Sequence, residues 1–322
     1  MNLDSRTTVI VTGGAGFLGR HVVDLLKRRG VRVIVPRSSN WDLRVWDQAN
    51  GLIEESKPDL VIHAAWTGGG IGFMREHPGI ITRDNLLMNT HVIEACRKHS
   101  VPKFVGVGSI CSYPKFTRVP SKEKDLWNGF PEETNAAYGL SKKMMLVMTQ
   151  AYAQEFLMNG IHLLMVNLYG PWDNFDVSSS HVIPAMIRKF IVGRERREKQ
   201  VALWGDGSPT REFLHVSDAA EAIILAAERY DSPEPVNIGS SEEISIRDLA
   251  AQVAGIVGYE GEIIWDMSKP NGQPRRKLDV TKATEYFGFM AKVRFAEGLA
   301  QTVKWYLETG RQLWEQRKTS LP

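Results

Sequence analysis

Thr12-Gly13-Gly14-Ala15-Gly16-Phe17-Leu18-Gly19 stands between an apolar run, residues 9–11, and a segment whose Leu18, Val22, Leu25 and Leu26 recur at helical spacing as far as Gly30. Glycines at 13, 16 and 19 let the turn tighten, let the backbone approach a pyrophosphate and let the helix pack closely on the strand. The diphosphate then sits on the helix N-terminus, where free N–H groups and the helix dipole favour anions. Three spaced glycines alone say little. Between a strand and a helix they mark a nucleotide-binding βα unit.

Working outward, a second apolar run covers 31–35, and the pattern predicts a helix over 41–56, a strand over 60–62, a helix over 85–99 and a strand over 104–107. A long helix over 135–159 and a strand over 161–166 complete the alternation, which predicts an α/β fold with a doubly wound parallel sheet of Rossmann type. After Gly170 the rhythm breaks into a loop at 171–180, a helix at 182–191 and a charged, solvated run at 194–200. The strand expected at 213–216, the helix at 217–229 and the run 236–238 read as a return to the sheet. Segments 244–257, 262–265 and 295–307 read as a smaller lobe, and 318–322 as a frayed tail. The expected division is a nucleotide-binding domain over 1–171, with 211–238 returning to it, and a substrate lobe built from 172–210 and 239–322.

Forty basic against 37 acidic side chains leave +3, too small a balance for a nucleic-acid or membrane-surface protein but suited to an anionic small ligand met by local patches. Two cysteines, Cys96 and Cys111, are too few for a secreted disulfide framework. The start MNLDSRTTVIVTGG has no signal-like apolar core, and no apolar run reaches the length of a membrane span, so a cytoplasmic, reduced setting is expected. A chain of 322 residues buries enough surface to need no metal staple.

The end of the second strand tells which nicotinamide cofactor is expected. An NAD enzyme places a carboxylate there for the ribose 2′-hydroxyl, whereas this chain reads Val35-Pro36-Arg37-Ser38-Ser39-Asn40. The Arg37 guanidinium suits a 2′-phosphate, so NADP(H) is expected. Tyr138-Gly139-Leu140-Ser141-Lys142 opens the long helix, and residues four apart share one face. A cation beside the phenol is expected to lower its pKa towards a useful acid/base value. Ser109 lies at the end of the fourth strand, on the sheet edge where ligands bind.

Together these residues resemble an extended short-chain dehydrogenase/reductase, and within it the GDP-L-fucose synthase family. The resemblance rests on Gly108-Ser109-Ile110-Cys111-Ser112-Tyr113-Pro114-Lys115, Asn167-Leu168-Tyr169-Gly170-Pro171, Asp173-Asn174-Phe175 and Ser180-His181-Val182-Ile183-Pro184-Ala185. It continues through Trp204-Gly205, Arg211-Glu212-Phe213-Leu214-His215-Val216, Lys269-Pro270-Asn271-Gly272 and Leu278-Asp279-Val280-Thr281. It implies NADPH-dependent 3,5-epimerisation and 4-reduction of GDP-4-keto-6-deoxy-D-mannose by a homodimer. It further implies that Cys111 is the base and His181 the acid of the inversions, while Ser109, Tyr138 and Lys142 serve the reduction. For the cofactor it nominates Gly13, Gly16, Phe17, Leu18, Gly19, Arg37, Asp42, Leu43, Ala64, Ala65, Lys142, Asn167, Leu168 and His181. For the GDP-sugar it nominates Ser109, Asn167, Lys189, Trp204 and Arg211, with Arg188 a substitute for Lys189.

Other residues have plainer readings. Cys96 among Val92, Ile93 and Ala95 is core, His63 and His215 are structural, and Met144, Met145 and Met148 are helix packing. One departure stands out: Ala64-Ala65 is followed by Trp66-Thr67-Gly68-Gly69-Gly70-Ile71-Gly72-Phe73, where the family carries a smaller, valine-containing segment facing the sugar. A different 4-keto sugar, from a GDP-colitose or GDP-heptose pathway, is therefore the alternative. A 4,6-dehydratase would place acidic residues after Ser109, a 4-epimerase with bound NAD would carry an acid after the second strand, and a non-catalytic NADP-binding regulator would lose the Tyr138–Lys142 pair.

Overall fold

The computed structural model describes residues 1–176, 179–269 and 271–313. Six runs of apolar, largely β-branched residues form one parallel sheet: β1 Thr8–Thr12, β2 Arg32–Ile34, β3 Leu60–His63, β4 Lys103–Ser109, β5 Gly160–Met165 and β9 Val236–Ile238, in the order β2-β1-β3-β4-β5-β9. The strands are almost wholly buried because helices cover both faces. On one face lie α1 Phe17–Arg28 and α7 Val216–Arg229, packed through Val22, Leu26 and the alanines of α7. On the other lie α2 Trp46–Ser56, α4 Pro78–Lys98 and α5 Ala136–Phe156, which bury Leu52, Ile93, Cys96 and Met145. The order in which strands are added reverses at β1, with β2 on one side and β3 on the other, so a ligand crevice opens beyond Thr12 and His63.

The lobe holds a second core. Strand β8, Thr210–His215, pairs with β6 Asn167–Tyr169, β10 Glu243–Ser245 and β12 Arg275–Arg276, while β7 Gln200–Trp204 pairs with β11 Glu262–Asp266. Helices α6 Val182–Glu195, α8 Ile246–Val257 and α10 Phe295–Trp305 close over Tyr169, Phe190, Phe213, Leu249 and Leu299. The strand expected to rejoin the main sheet at 213–216 therefore lies in the small sheet: β6 leaves the main sheet after Val166 and takes β8 as its partner. From that stretch α7 and β9 return, and they are joined by α9 Thr281–Phe287: Leu278, Ala283, Phe287 and Phe289, expected in the lobe, pack into the main core because they cover β9 and α7.

Two helix boundaries differ from expectation for local reasons. Helix α2 starts at Trp46 because the Asp42 carboxylate bonds the Arg44 N–H at 3.0 Å, a side-chain turn that competes with helix. Residues 71–76 form a short helix, α3 Ile71–Glu76, and α4 begins at Pro78, well before the expected 85, because proline suits a first helical turn. The expected frayed tail at 318–322 lies outside the described residues.

Candidate active site

The glycine turn is built as a cradle. Gly13 has φ +69°, and a Cβ there would meet the Ala64 and Ala65 backbone at 2.8–2.9 Å, which seats the turn on the end of β3. A Cβ on Gly19 would stand 2.2 Å from the Gly13 carbonyl. Gly16 caps α1, whose first turn carries no acidic side chain, so the N–H groups of Phe17, Leu18 and Gly19 face the crevice as an anion seat. Nothing larger than glycine fits at positions 13 and 19, and backbone N–H groups at a helix start are what a nucleotide diphosphate needs.

Arg37 is exposed beyond β2, its carbonyl accepts from Asn40 and Trp41 at 2.9 and 2.8 Å, and its guanidinium bonds none of the described residues. Asp42 and Leu43 follow on the same turn. The Asp42 carboxylate is held by Arg44 at 2.6 Å, and the Leu43 carbonyl faces His91 Nδ1 at 3.0 Å, so these two shape the turn rather than offer a free carboxylate.

His63 lies buried under the cradle, with Nδ1 2.8 Å from Thr12 Oγ1 and Nε2 3.0 Å from Asn89 Oδ1. Asn89 donates in turn to the Ser141 carbonyl at 3.1 Å, one residue before Lys142. The expected structural role of His63 thus takes a definite form, a buried strap between the glycine turn and α5.

Ser109 ends β4 and its Oγ accepts the Cys111 N–H at 3.1 Å. Burial and the neighbouring Cys111 push the Tyr138 phenol well above its usual pKa, against the opposing pull of its hydrogen bond to Ser109. Lys142 Nζ lies 5.8 Å from the centre of the Tyr138 ring, and burial brings its pKa down to about 7. The expectation that Lys142 would lower the phenol is not met: desolvation dominates, and Lys142 is not among the groups that act on Tyr138. What results is a protonated tyrosine, the form that donates.

The Cys111 thiol receives a second contact that the sequence did not suggest. Arg276 Nη1 stands 3.5 Å from Sγ, while Arg276 Nε donates to Gln273 Oε1 and Gln273 Nε2 donates to the Lys115 carbonyl at 2.7 Å. Arg211 is in register with Arg276 on the adjoining strand, and burial together with the like charge of Arg276 lowers it to about 10. Arg276 therefore rests on the thiol, with Arg211 beside it on the adjoining strand.

His181 caps α6 and its Nδ1 lies 3.6 Å from Oδ1 of Asp173, which is buried. Desolvation opposes the imidazolium, but the nearby Asp173 carboxylate outweighs it and holds His181 above the usual range. The loop before it is tied to the glycine segment after β3, where Gly70 N–H donates to the Ser179 carbonyl at 2.8 Å. Trp66, at the start of that segment, puts its ring 4.9 Å from the Tyr138 ring. Further out, Trp204 is 56% exposed with Lys269 Nζ 5.9 Å from its ring, a flat face beside a cation. Lys189 is spent on the Ala202 carbonyl at 2.9 Å, Arg188 on that of Phe175 at 3.0 Å, and Asn167 on that of Glu212 at 2.9 Å, so these three brace the lobe. Leu168 packs against the main core.

Sequence reasoning missed Arg276 and Asp173. Arg276 sits among the basic residues Arg275 and Lys277 with nothing to single it out, and Asp173 passed as one letter of a motif.

The profile of the NAD dependent epimerase/dehydratase family matches residues 9–239. GDP-L-fucose synthase 1 of Arabidopsis thaliana is 37% identical over 306 residues, covering 95% of this chain and 94% of that protein. GDP-L-fucose synthase of Escherichia coli (strain K12) is 34% identical over 315 residues, covering 94% and 98%. Among solved structures, a GDP-L-fucose synthetase from Naegleria fowleri bound to NADP superposes with a TM-score of 0.88 at 26% identity, covering 97% of each chain. A GDP-6-OMe-4-keto-L-xylo-heptose reductase from C. jejuni superposes with a TM-score of 0.89 at 26% identity, covering 95% of this chain and 99% of that one.

Proposed function

The chain belongs to the GDP-L-fucose synthase family of NAD dependent epimerases/dehydratases, and from that premise we propose that it epimerises C3 and C5 of GDP-4-keto-6-deoxy-D-mannose and reduces C4, giving GDP-L-fucose. One observation carries the reading: a thiol paired with a guanidinium, Cys111 with Arg276 at 3.5 Å, beside the Ser109–Tyr138–Lys142 group. A plain reductase needs the latter group alone. The added thiol supplies a further base, which removal of a carbon-bound proton needs.

The 4-keto group acidifies the protons on C3 and C5. Cys111, as thiolate steadied by Arg276, removes such a proton, and the electron pair moves to O4, where the Ser109 and Tyr138 hydroxyls donate to the developing oxyanion. The His181 imidazolium returns a proton to the opposite face of the carbon, which inverts it. Both groups then recover their starting forms by exchange with water. In the reductive step Tyr138 donates its proton to O4, and Lys142 restores the phenol. The glycine cradle, Arg37 and Lys142 would hold NADPH, which would supply the hydride for C4. Trp204, Lys269 and Arg211 receive the nucleotide end of the substrate, with Lys189 and Asn167 bracing the walls.

No helix among the described residues is long and apolar enough to cross a membrane. Ile80 of α4 and Met144 and Val147 of α5 are exposed, which supports a homodimer formed through these two helices, read by light scattering; a cytoplasmic setting belongs to the same proposal. Trp66 against Tyr138 favours a second reading, a related 4-keto sugar such as a GDP-linked 3,6-dideoxyhexose or heptose.

The test is turnover of GDP-4-keto-6-deoxy-mannose with NADPH in deuterated water, followed by NMR. Deuterium at C3 and C5 with L-galacto stereochemistry is expected. NADPH oxidation without deuterium would reduce the protein to a 4-reductase, and no turnover would shift the choice to the second reading.

A further inference from the structure

The acid in this site has its own partner, and that partner has no other evident task. Asp173 is buried at the start of the loop that leads to α6. Its Oδ1 accepts the Asn174 N–H at 2.7 Å and lies 3.6 Å from His181 Nδ1, while its Oδ2 has no partner among the described residues. A buried carboxylate with an unbonded oxygen is costly unless a cation stands beside it. The imidazolium is that cation.

Arg188 of α6 is turned to the Phe175 carbonyl at 3.0 Å, and the segment Trp66–Phe73 that docks on the loop through Gly70 carries no charged side chain. His181 Nε2 bonds none of the described residues, and the side chain is 49% exposed, which leaves this nitrogen open to a ligand.

We propose that Asp173 is a positioning residue for His181: its carboxylate holds Nδ1 and favours the imidazolium, so that Nε2 presents the proton that inverts the sugar carbon. This rests on the epimerase reading of the site. In each inversion the C–H bond breaks to Cys111 and a new C–H bond forms from His181 Nε2–H. Asp173 gains and loses no proton, and no oxidant or reductant is consumed.

The experiment has two readouts. The first is the NMR titration of the His181 ring in the full chain without substrate. The second is the pH profile of deuterium exchange at C3 and C5 of GDP-4-keto-6-deoxy-mannose. In Asp173→Asn the titration midpoint is expected to fall by about one pH unit, because burial then acts on the ring unopposed. The alkaline limb of exchange should move acidward equally, a loss of about tenfold at pH 8. NADPH-linked reduction of the already inverted sugar should stay within about twofold, and Asp173→Glu should restore the midpoint.

An unmoved midpoint in Asp173→Asn overturns the proposal, and so does a moved midpoint with an unmoved exchange limb. If Asp173→Asn loses NADPH binding and is thus misfolded, the wild-type ring is read alone, and a midpoint below about 6.5 overturns the proposal. Should the wild type turn over no GDP-linked 4-keto sugar while the midpoint still falls in Asp173→Asn, the proposed function fails and the pairing stands.

Discussion

Arg276 Nη1 stands 3.5 Å from Cys111 Sγ, a guanidinium from the small sheet resting on a thiol that follows the end of β4. The contact joins the two cores, and its sign matters: a cation stabilises a thiolate, and a thiolate is a base. At His181 the partner is an anion, Asp173, which stabilises an imidazolium, an acid. Opposite partners thus match the opposite duties proposed for the two groups.

If Cys111 is the base, Cys111→Ser should cut C3 and C5 exchange by about a thousandfold while reduction of the already inverted ketone stays within about threefold. Arg276→Met should cost exchange about a hundredfold with the same sparing of reduction. Exchange measured in deuterated water, beside NADPH oxidation with the inverted sugar, separates the two. Equal loss of both activities in Cys111→Ser would remove it from the role of base.

Lys142 yields a prediction about stability. Burial brings its pKa from 10.5 to about 7 in the folded chain. Between these values the unfolded chain holds a proton that the folded chain lacks, so stability rises with pH across this window, and the cost is fully present below it. Lys142→Met should therefore stabilise the cofactor-free protein by on the order of a few kcal/mol at pH 6, with the gain fading towards pH 10. The same variant should lose about a hundredfold or more in reduction. Thermal unfolding at several pH values checks it, and a gain that ignores pH would point to packing instead.

The chain's local pattern made the main sheet legible because buried parallel strands are short continuous apolar runs and the glycine turn announces its own geometry. Ser109, Tyr138 and Lys142 were legible for the same reason, being tied to a strand end and one helix face. The partner of β8 was not, because β6 and β8 are short strands whose pairing depends on where the chain leaves the main sheet, a tertiary matter. Arg276 and Asp173 were hidden for another reason. Their meaning is a distance to a residue elsewhere, and neither periodicity nor motif spacing encodes that. The pKa of Tyr138 was misjudged because a neighbouring cation is visible in sequence while desolvation is not.

Arg37 is exposed beyond β2 with its guanidinium bonded to none of the described residues, so it is free to meet a 2′-phosphate. Arg37→Ala should weaken NADPH by about tenfold to a hundredfold and leave NADH nearly unchanged. Titration of both nucleotides against protein fluorescence measures this. An unchanged preference would mean that the phosphate is read elsewhere on the 37–43 turn.

Trp66 bears on which sugar is accepted. Its indole lies 4.9 Å from the Tyr138 ring, and a Cβ on Gly68 would fall 1.9 Å from the indole. The segment is pinned from below, since Asn85 donates to the Thr67 carbonyl at 2.8 Å and accepts the Thr67 N–H at 3.0 Å. Trp66 is therefore a fixed wall beside Tyr138, the group proposed to protonate O4, and Gly68 is small so that the wall can stand there. Trp66→Val should widen the pocket and narrow the preference between 6-deoxy and bulkier 4-keto sugars by about tenfold in kcat/KM. Gly68→Ala should act the same way without touching the indole, because the added methyl can be housed only if the ring leaves Tyr138. Competition between the two sugars, followed by NMR, reads both variants. Matching shifts would place specificity in the indole wall, and a shift in Trp66→Val alone would mean that the segment yields around Gly68 and leaves the ring in place.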